Sequence, residues 1–281
     1  MDTITIHNAI SKGYKSLAAI HSNYKNEILW IMQKVLNKNL SYITINKSSM
    51  LSIQEYKLFK NLVNRRIKKE PLQHILQSIS FYGYDFEINK KVFIPRPETE
   101  LLIDIIKKNI GDINSVLEVG TGSGCISLVL ELEKISNQIH AIDINNNALL
   151  LARFNAKNYN CDKVKFMHEN FFHFQPNQKY DLIISNPPYI SLDEIKLLDN
   201  EVILYDPLNA LTDYNDGLNF YKYFFEFGIN NLNKNGYMLF EFGGEHQVKS
   251  LKHIFNHQSY SYKFFNDLNN NPRFILIQKL L

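Results

Sequence analysis

Cysteine is scarce in this chain. Cys125 and Cys161 are the only two among 281 residues, which excludes a disulfide framework and fits a protein kept reduced. Charge of one sign is equally scarce: 31 Lys and Arg against 28 Asp and Glu leave a formal charge of +3. That is too little for a dedicated duplex-DNA or membrane-surface binder, although it leaves room for a local basic patch. No run of 18 apolar residues occurs, so nothing reads as a transmembrane helix. Met1-Asp2-Thr3-Ile4-Thr5 has neither the basic flank nor the apolar stretch of a secretory leader. There is no internal repeat, and the excess of Asn, Ile and Lys reads as genomic composition bias. The expectation from these absences is a soluble, cytoplasmic protein. What is present is a globular composition, 45% apolar, in a length that suits a small domain followed by a medium one.

The first 76 residues read as helical. Ile6, Ile10, Leu17 and Ile20 recur near helical spacing, as do Ile28, Met32 and Val35, and then Phe59, Val63 and Ile67. Ser52-Ile53-Gln54-Glu55 has the form of a capping box. Phe81 to Ile88, an Asn89-Lys90 turn and Val92 to Ile94 read as a β-hairpin. From Pro97, a helix carrying Leu101, Leu102, Ile105 and Ile106 opens a different rhythm. Short apolar runs at Val116 to Val119, Ile139 to Ile144, Val164 to Met167, Leu182 to Ser185 and Tyr237 to Phe242 alternate with helix-length segments such as Cys125 to Ile135 and Asn146 to Asn158. This pattern predicts a mostly parallel sheet with helices on both faces. Tyr260 to Phe265 and Phe274 to Gln278 read as two further strands. The expected domains are 1–76, a helical bundle; 77–96, a hairpin linker; and 97–281, an α/β domain.

Chemistry concentrates at the ends of the predicted strands. Gly120-Thr121-Gly122-Ser123-Gly124 follows the first, where glycines permit a sharp turn and the next helix offers free amides to a ligand. Asp143 ends the second and suits a ribose diol; the alternative is an N-cap for the next helix. Phe171, after Asn170 at the third, suits stacking on a purine or core packing, while Phe172 is expected in the core. Asn186-Pro187-Pro188-Tyr189 ends the fourth. Proline lacks an N–H and holds the preceding residue extended, so the Asn186 side-chain oxygen and the Pro187 carbonyl can accept both hydrogens of a planar NH2 group. Tyr189 would flank the plane. An amide nitrogen is a poor nucleophile, so the expected catalysis is positioning toward an electrophilic methyl. His253 and His257 have zinc-like spacing but no third ligand, and no metal is expected. Arg65-Arg66-Ile67-Lys68-Lys69 reads as a solvated helix end, open to an acidic or RNA-bearing partner.

These residues resemble the release-factor glutamine methyltransferases of the HemK type, S-adenosylmethionine-dependent enzymes with an Asn-Pro-Pro-Tyr motif. The likeness spans nearly the whole chain. It includes Glu70-Pro71-Leu72-Gln73, Phe81-Tyr82-Gly83, Ile94-Pro95-Arg96-Pro97-Glu98-Thr99-Glu100, Tyr205-Asp206-Pro207, Asp216-Gly217-Leu218 and Asp267-Leu268 with Arg273. The resemblance implies a Rossmann-like class I methyltransferase domain with a mostly parallel seven-stranded sheet. It also implies a small N-terminal all-helical domain that docks the partner, joined by a β-hairpin. The implied reaction moves a methyl group from S-adenosyl-L-methionine to the amide nitrogen of the glutamine in the Gly-Gly-Gln motif of peptide chain release factors 1 and 2. Carried over, Gly120, Thr121, Gly122, Ser123 and Gly124 would line the methionine end of the cofactor, Asp143 its ribose and Phe171 its adenine. Asn186 would face both cofactor and substrate, and Asn186, Pro187, Pro188 and Tyr189 would grip the glutamine, with Asn186, Pro187 and Tyr189 catalytic. The chain departs from the family pattern at Glu118 (usually Asp), Asn170 (usually acidic), Phe171 (commonly Trp) and Asp206 (usually Glu).

Three other readings share features with this one. A ribosomal-protein glutamine methyltransferase would carry the same tetrapeptide. An adenine-N6 DNA methyltransferase would grip a flipped base with it, but would want a basic target-reading domain, and no direct DNA or membrane partner is expected here. A non-catalytic binding protein would not need the glycine turn, Asp143 and Asn186 together. The sequence leaves the oligomeric state open.

Overall fold

Ile6, Ala9, Ile10, Gly13 and Leu17 fall on one face of a single helix, Ile6–Leu17, and are all buried. The computed structural model describes residues 4–20, 22–111 and 113–280. Met1, Asp2 and Thr3, read above for a leader and as the start of the helical region, lie outside the described residues, as does Leu281. The chain separates into two units, Met1–Ser78 with Asn200–Tyr205, and Ile79–Asp199 with Asp206–Leu281.

The first unit packs the helices Ile6–Leu17, Tyr24–Leu36 and Ile53–Ile67 around Ile28, Ile31, Met32, Phe59, Leu62 and Val63. A Cβ on Gly13 would lie 2.8 Å from the Ile28 side chain, so glycine sets how closely the first two helices approach. The capping box forms: the Ser52 hydroxyl accepts from the Glu55 amide at 3.1 Å, and Glu55 accepts from the Ser52 amide at 2.7 Å. This unit is not entirely helical, because Ile4–Thr5 pairs antiparallel with Met50–Leu51. Ile20 lies past the end of its helix and is exposed.

The basic run in this unit is a solvated helix end only in part: Lys68 and Lys69 are exposed, whereas Arg66 is buried and Arg65 half-buried. Arg66 is buried and donates to both carboxylate oxygens of Glu27, at 2.8 and 3.1 Å, and to Glu201 at 3.2 Å. Arg65 forms a two-point pair with Glu70. Carboxylates, near in sequence for Arg65 (Glu70) and distant for Arg66 (Glu27 and Glu201), thus occupy two of the cations that the sequence left for an acidic partner. The Glu201 contact, together with a bond from the Tyr205 hydroxyl to the Lys68 carbonyl, explains why Asn200–Tyr205 groups with the helical unit and not with the α/β residues on either side of it.

A hairpin does form, but earlier than the sequence suggests. Its strands are Ser78–Phe81 and Tyr84–Glu87. The turn is Tyr82-Gly83, both residues at positive φ (53° and 80°), as the right-twisted two-residue turn demands. Asn89-Lys90 makes no hairpin; the Asn89 side chain instead accepts from the Lys91 amide in a local turn.

The second unit carries seven strands: β1 (Ser115–Val119), β2 (Gln138–Asp143), β3 (Val164–His168), β4 (Tyr180–Ser185), β5 (Leu232–Glu241), β6 (Tyr260–Asn266) and β7 (Pro272–Lys279). Their order across the sheet is β6-β7-β5-β4-β1-β2-β3. The first five strands are parallel, while β7 runs antiparallel to β5 and to β6. Side chains alternate between two cores. Val116, Leu182 and Ile184 pack with the helices Leu101–Asn109 and Cys125–Leu132 on one face. Leu117 and Ile183 pack with Tyr221, Phe224 and Phe255 on the other. The strand order reverses between β1 and β4, and a crevice at such a reversal, beyond the C-terminal strand ends, is where open α/β sheets bind ligands.

Candidate active site

A cavity of about 320 Å³ opens at that reversal, entirely within the second unit. The turn after β1 forms its floor. Gly120, Gly122 and Gly124 all have positive φ, and a Cβ on Gly124 would stand 3.0 Å from that of Ala152. The turn therefore requires glycine for conformation and for contact with the helix Asn146–Tyr159. Beneath it, Glu118 accepts from the Thr121 hydroxyl at 2.7 Å and from both the amide and the hydroxyl of Ser127. Burial pushes the Glu118 carboxyl up to about 8, against the pull of those bonds.

Asp143 lines the cavity at the end of β2. Its two oxygens accept from the amides of Gly122, at 2.9 Å, and Asn145, at 2.8 Å. Each oxygen keeps a lone pair for a ribose hydroxyl. The N-cap of the next helix is Asn145, so Asp143 does not serve there. Burial raises the Asp143 carboxyl above its ordinary range.

At the end of β3 Phe171 takes the core-packed alternative of the two open to it, while Phe172 departs from the core position expected of it. Phe171 touches the cavity but is buried, 4.4 Å from Phe224 and 5.0 Å from Phe227 between ring centroids. Phe172, expected in the core, is half-exposed and sits 4.9 Å from Phe220, which also lines the cavity. The cause is local. Asn170 caps a short 3₁₀ turn, Phe171–His173, by accepting from the Phe172 amide, and this rotates Phe171 inward beneath the helix Asn219–Asn231.

Asn186, Pro187 and Pro188 form the wall at the end of β4. Tyr189 does not line the cavity; its hydroxyl donates to Glu241 Oε1 at 3.2 Å, and burial, then the Glu241 charge, raises its pKa. Gln247 donates to the Tyr189 carbonyl at 2.8 Å. Behind Asn186 lies a chain of hydrogen bonds that sequence reasoning missed. Asn186 Nδ2 donates to Thr99 Oγ1 at 3.1 Å, and Thr99 donates to Glu241 Oε2 at 2.7 Å. A signal for Thr99 existed in its motif with Arg96 and Glu98; Glu241 shows only as an acid ending an apolar strand. Phe220 was signalled by the aromatic density of Phe220 to Phe227.

The cavity residues fit S-adenosylmethionine. The glycine turn admits close backbone approach, Asp143 offers acceptors to a diol, and the Phe172 and Phe220 rings offer apolar surface. No group of three metal-ligating side chains occurs among the described residues. His253 lies in the helix Glu245–Phe255, whereas His257 lies beyond its end, so the two do not share helical spacing. No helix among the described residues is long and apolar enough to cross a membrane.

Strand order, glycine turn and proline-bounded wall together define a class I methyltransferase. The family model "Methyltransferase small domain" matches residues 97–212, and "PrmC N-terminal domain" matches 8–76. A release factor glutamine methyltransferase of Fusobacterium nucleatum is 35% identical, the match covering 90% of this chain and 72% of that protein. A bifunctional methyltransferase of Rickettsia bellii is also 35% identical, but there the match covers 85% of this chain and only 48% of the relative, so the chain spans about half the length of that protein. The crystal structure of a methyltransferase from Pyrococcus furiosus shares the fold, with a TM-score of 0.56 at 17% identity over 80% of this chain and 98% of that one. The chain belongs to the family of release factor glutamine methyltransferases.

Proposed function

We propose that the protein methylates the side-chain amide nitrogen of the glutamine in the Gly-Gly-Gln motif of peptide chain release factors 1 and 2, in the cytoplasm, using S-adenosylmethionine. The observation that carries this reading is the Asn186 amide on the cavity wall, whose Nδ2 donates to Thr99 Oγ1; this supports Oδ1 as the end offered to a substrate. Beside the Pro187 carbonyl, which has no competing donor on its own residue, that oxygen makes a pair of acceptors suited to the two hydrogens of a glutamine NH2. Family membership favours glutamine over a flipped adenine.

When bound, S-adenosylmethionine would supply a sulfonium-activated methyl group, the overall transfer exchanging its S–CH3 bond for an N–CH3 bond, with the electron pair staying on sulfur and one amide proton passing to water. The residues of this chain contribute positioning. Asn186 and Pro187 hold the amide plane and aim its nitrogen, which supplies orientation otherwise lost as entropy. Asp143 and the glycine turn hold the cofactor end of the cavity. The Asn186-Pro187 pair needs no strong base, because nitrogen becomes acidic as it bonds to carbon.

The test is transfer of labelled methyl from S-adenosylmethionine to purified release factor, with the modified residue located by mass spectrometry. Label on the motif glutamine is expected; label confined to another protein, or to DNA, overturns the reading. In the same assay Asn186→Ala is expected to lower kcat about 100-fold, as loss of one preorganised polar contact does, with the cofactor Kd nearly unchanged. Undiminished turnover would remove Asn186 from the clamp.

A further inference from the structure

Asn186 has two chemically opposite ends, and only one suits an NH2 substrate. Its carbonyl accepts from the substrate, whereas its own NH2 would meet hydrogen with hydrogen. Something must therefore fix which end faces the cavity. Thr99 Oγ1 carries one proton and lone pairs. Glu241, when ionised, can only accept, and it takes hydroxyl protons from Thr99 at Oε2 and from Tyr189 at Oε1. With its proton committed to Glu241, Thr99 has only lone pairs to offer Asn186, and only Nδ2 can answer them.

We propose that Thr99 and Glu241 are positioning residues that set the direction of this hydrogen-bond chain and thereby turn the Asn186 carbonyl, not its NH2, toward the substrate. The proposal rests on the reading of the cavity as a glutamine site. Thr99 borders the cavity and Glu241 does not, and in this chain each acts on the substrate through Asn186. Tyr189 is a second hydroxyl donor to the same carboxylate, which gives it a place in the motif without a place on the cavity wall.

The chain has a direction only while Glu241 accepts at both oxygens. A neutral acid carries a proton on one oxygen, and that proton pointed at Thr99 would reverse the Thr99 hydroxyl and with it the Asn186 amide. Burial pushes the Glu241 carboxyl up to about 7, and the nearby Glu98 charge adds to the rise; Arg273 on β7 and the hydroxyls of Thr99 and Tyr189 oppose it. The hydroxyl of Tyr221, from the facing helix, is occupied by the Glu241 main-chain carbonyl at 2.8 Å. Raised or not, the carboxyl is ionised above its folded pKa, so the productive orientation gains population as pH rises through about 7.

Two measurements on the full chain test this. The first needs no substrate: the Asn186 side-chain amide signals in a ¹⁵N spectrum, assigned by their loss in Asn186→Asp, are followed across the neutral range. A shift with a midpoint near 7 is expected in the wild type and its loss in Glu241→Gln, which has a single acceptor and cannot receive both hydroxyls. A midpoint that survives Glu241→Gln overturns the proposal. The second is kcat with release factor. Thr99→Val is expected to lower it by about 10- to 100-fold, with KM and cofactor Kd within about twofold, and Thr99→Ser to restore it. Full activity in Thr99→Val, or no rescue by serine, overturns the proposal. If the wild type fails to methylate release factor, the substrate assignment falls while the spectrum still decides the chain's direction.

Discussion

Glu118 shows how a single residue in this site ties stability to pH. Its folded pKa stands near 8 against an ordinary 4.5, with burial the leading cause. Between those values the folded state holds a proton that the unfolded chain has released, so stability falls as pH rises from the lower value to the higher and stays low above it. Glu118→Gln keeps an acceptor for Thr121 and Ser127 but cannot ionise. By calorimetry, the variant is expected to gain on the wild type between about pH 5 and about pH 8, by an amount on the order of a few kcal/mol. Parallel curves of Tm against pH would show that Glu118 is already ionised in the folded protein. The sequence marks this residue only as an acid before a glycine turn. Asn186, Pro187, Asp143 and the glycines are legible because each sits at a strand end in a pattern local to itself. Thr99 and Glu241 are not, since 142 positions separate them and only the closed sheet brings them together.

At the scale of elements, two glycines with similar backbone angles separate conformation from contact. Gly83 (φ 80°) turns the hairpin, and a Cβ there meets nothing within 4 Å; Gly217 (φ 76°) would place a Cβ 2.2 Å from the Tyr189 carbonyl oxygen. Gly83→Ala is expected to cost about 1–2 kcal/mol, the penalty of the left-handed region alone, and to leave kcat unchanged. Gly217→Ala adds a backbone collision. It is expected to cost more than about 3 kcal/mol and to lower kcat, because Tyr189 follows directly on Pro188 at the cavity wall. Thermal denaturation and steady-state rates on both variants check the contrast; equal losses would mean that the 212–218 loop yields freely. The loop has reason not to yield, since Asp213 accepts from the amides of Asn215, Gly217 and Asn219. The hairpin was legible as an element and misplaced in register because its first turn residue is Tyr82, and a tyrosine at positive φ gives no composition signal. Phe172 was misplaced for a related reason: the 3₁₀ turn that decides which of the two rings turns inward is set by an Asn170 cap, not by periodicity.

At the scale of the molecule, the two units have separate cores, one around Ile28, Phe59 and Leu62 and the other on the two faces of the sheet. The first unit also holds a buried Arg66 between Glu27 and Glu201. Removing one partner of a buried ion pair leaves the other charge desolvated, at a cost of about 3–5 kcal/mol. Arg66→Ala strips Glu27, itself only 7% exposed, of its two-point partner, and that cost falls on the helical unit. Hydrogen exchange resolves where it is felt. Amides in Tyr24–Leu36 and Ile53–Ile67 are expected to lose protection by an amount matching the cost, about a hundredfold or more in exchange rate. Those in β1, β4 and β5 are expected to keep theirs, and cofactor affinity to hold, because every residue lining the cavity belongs to the second unit. Equal loss of protection in β4 would mean instead that the chain opens as one cooperative block, and that damage to the helical unit reaches the Asn186 wall.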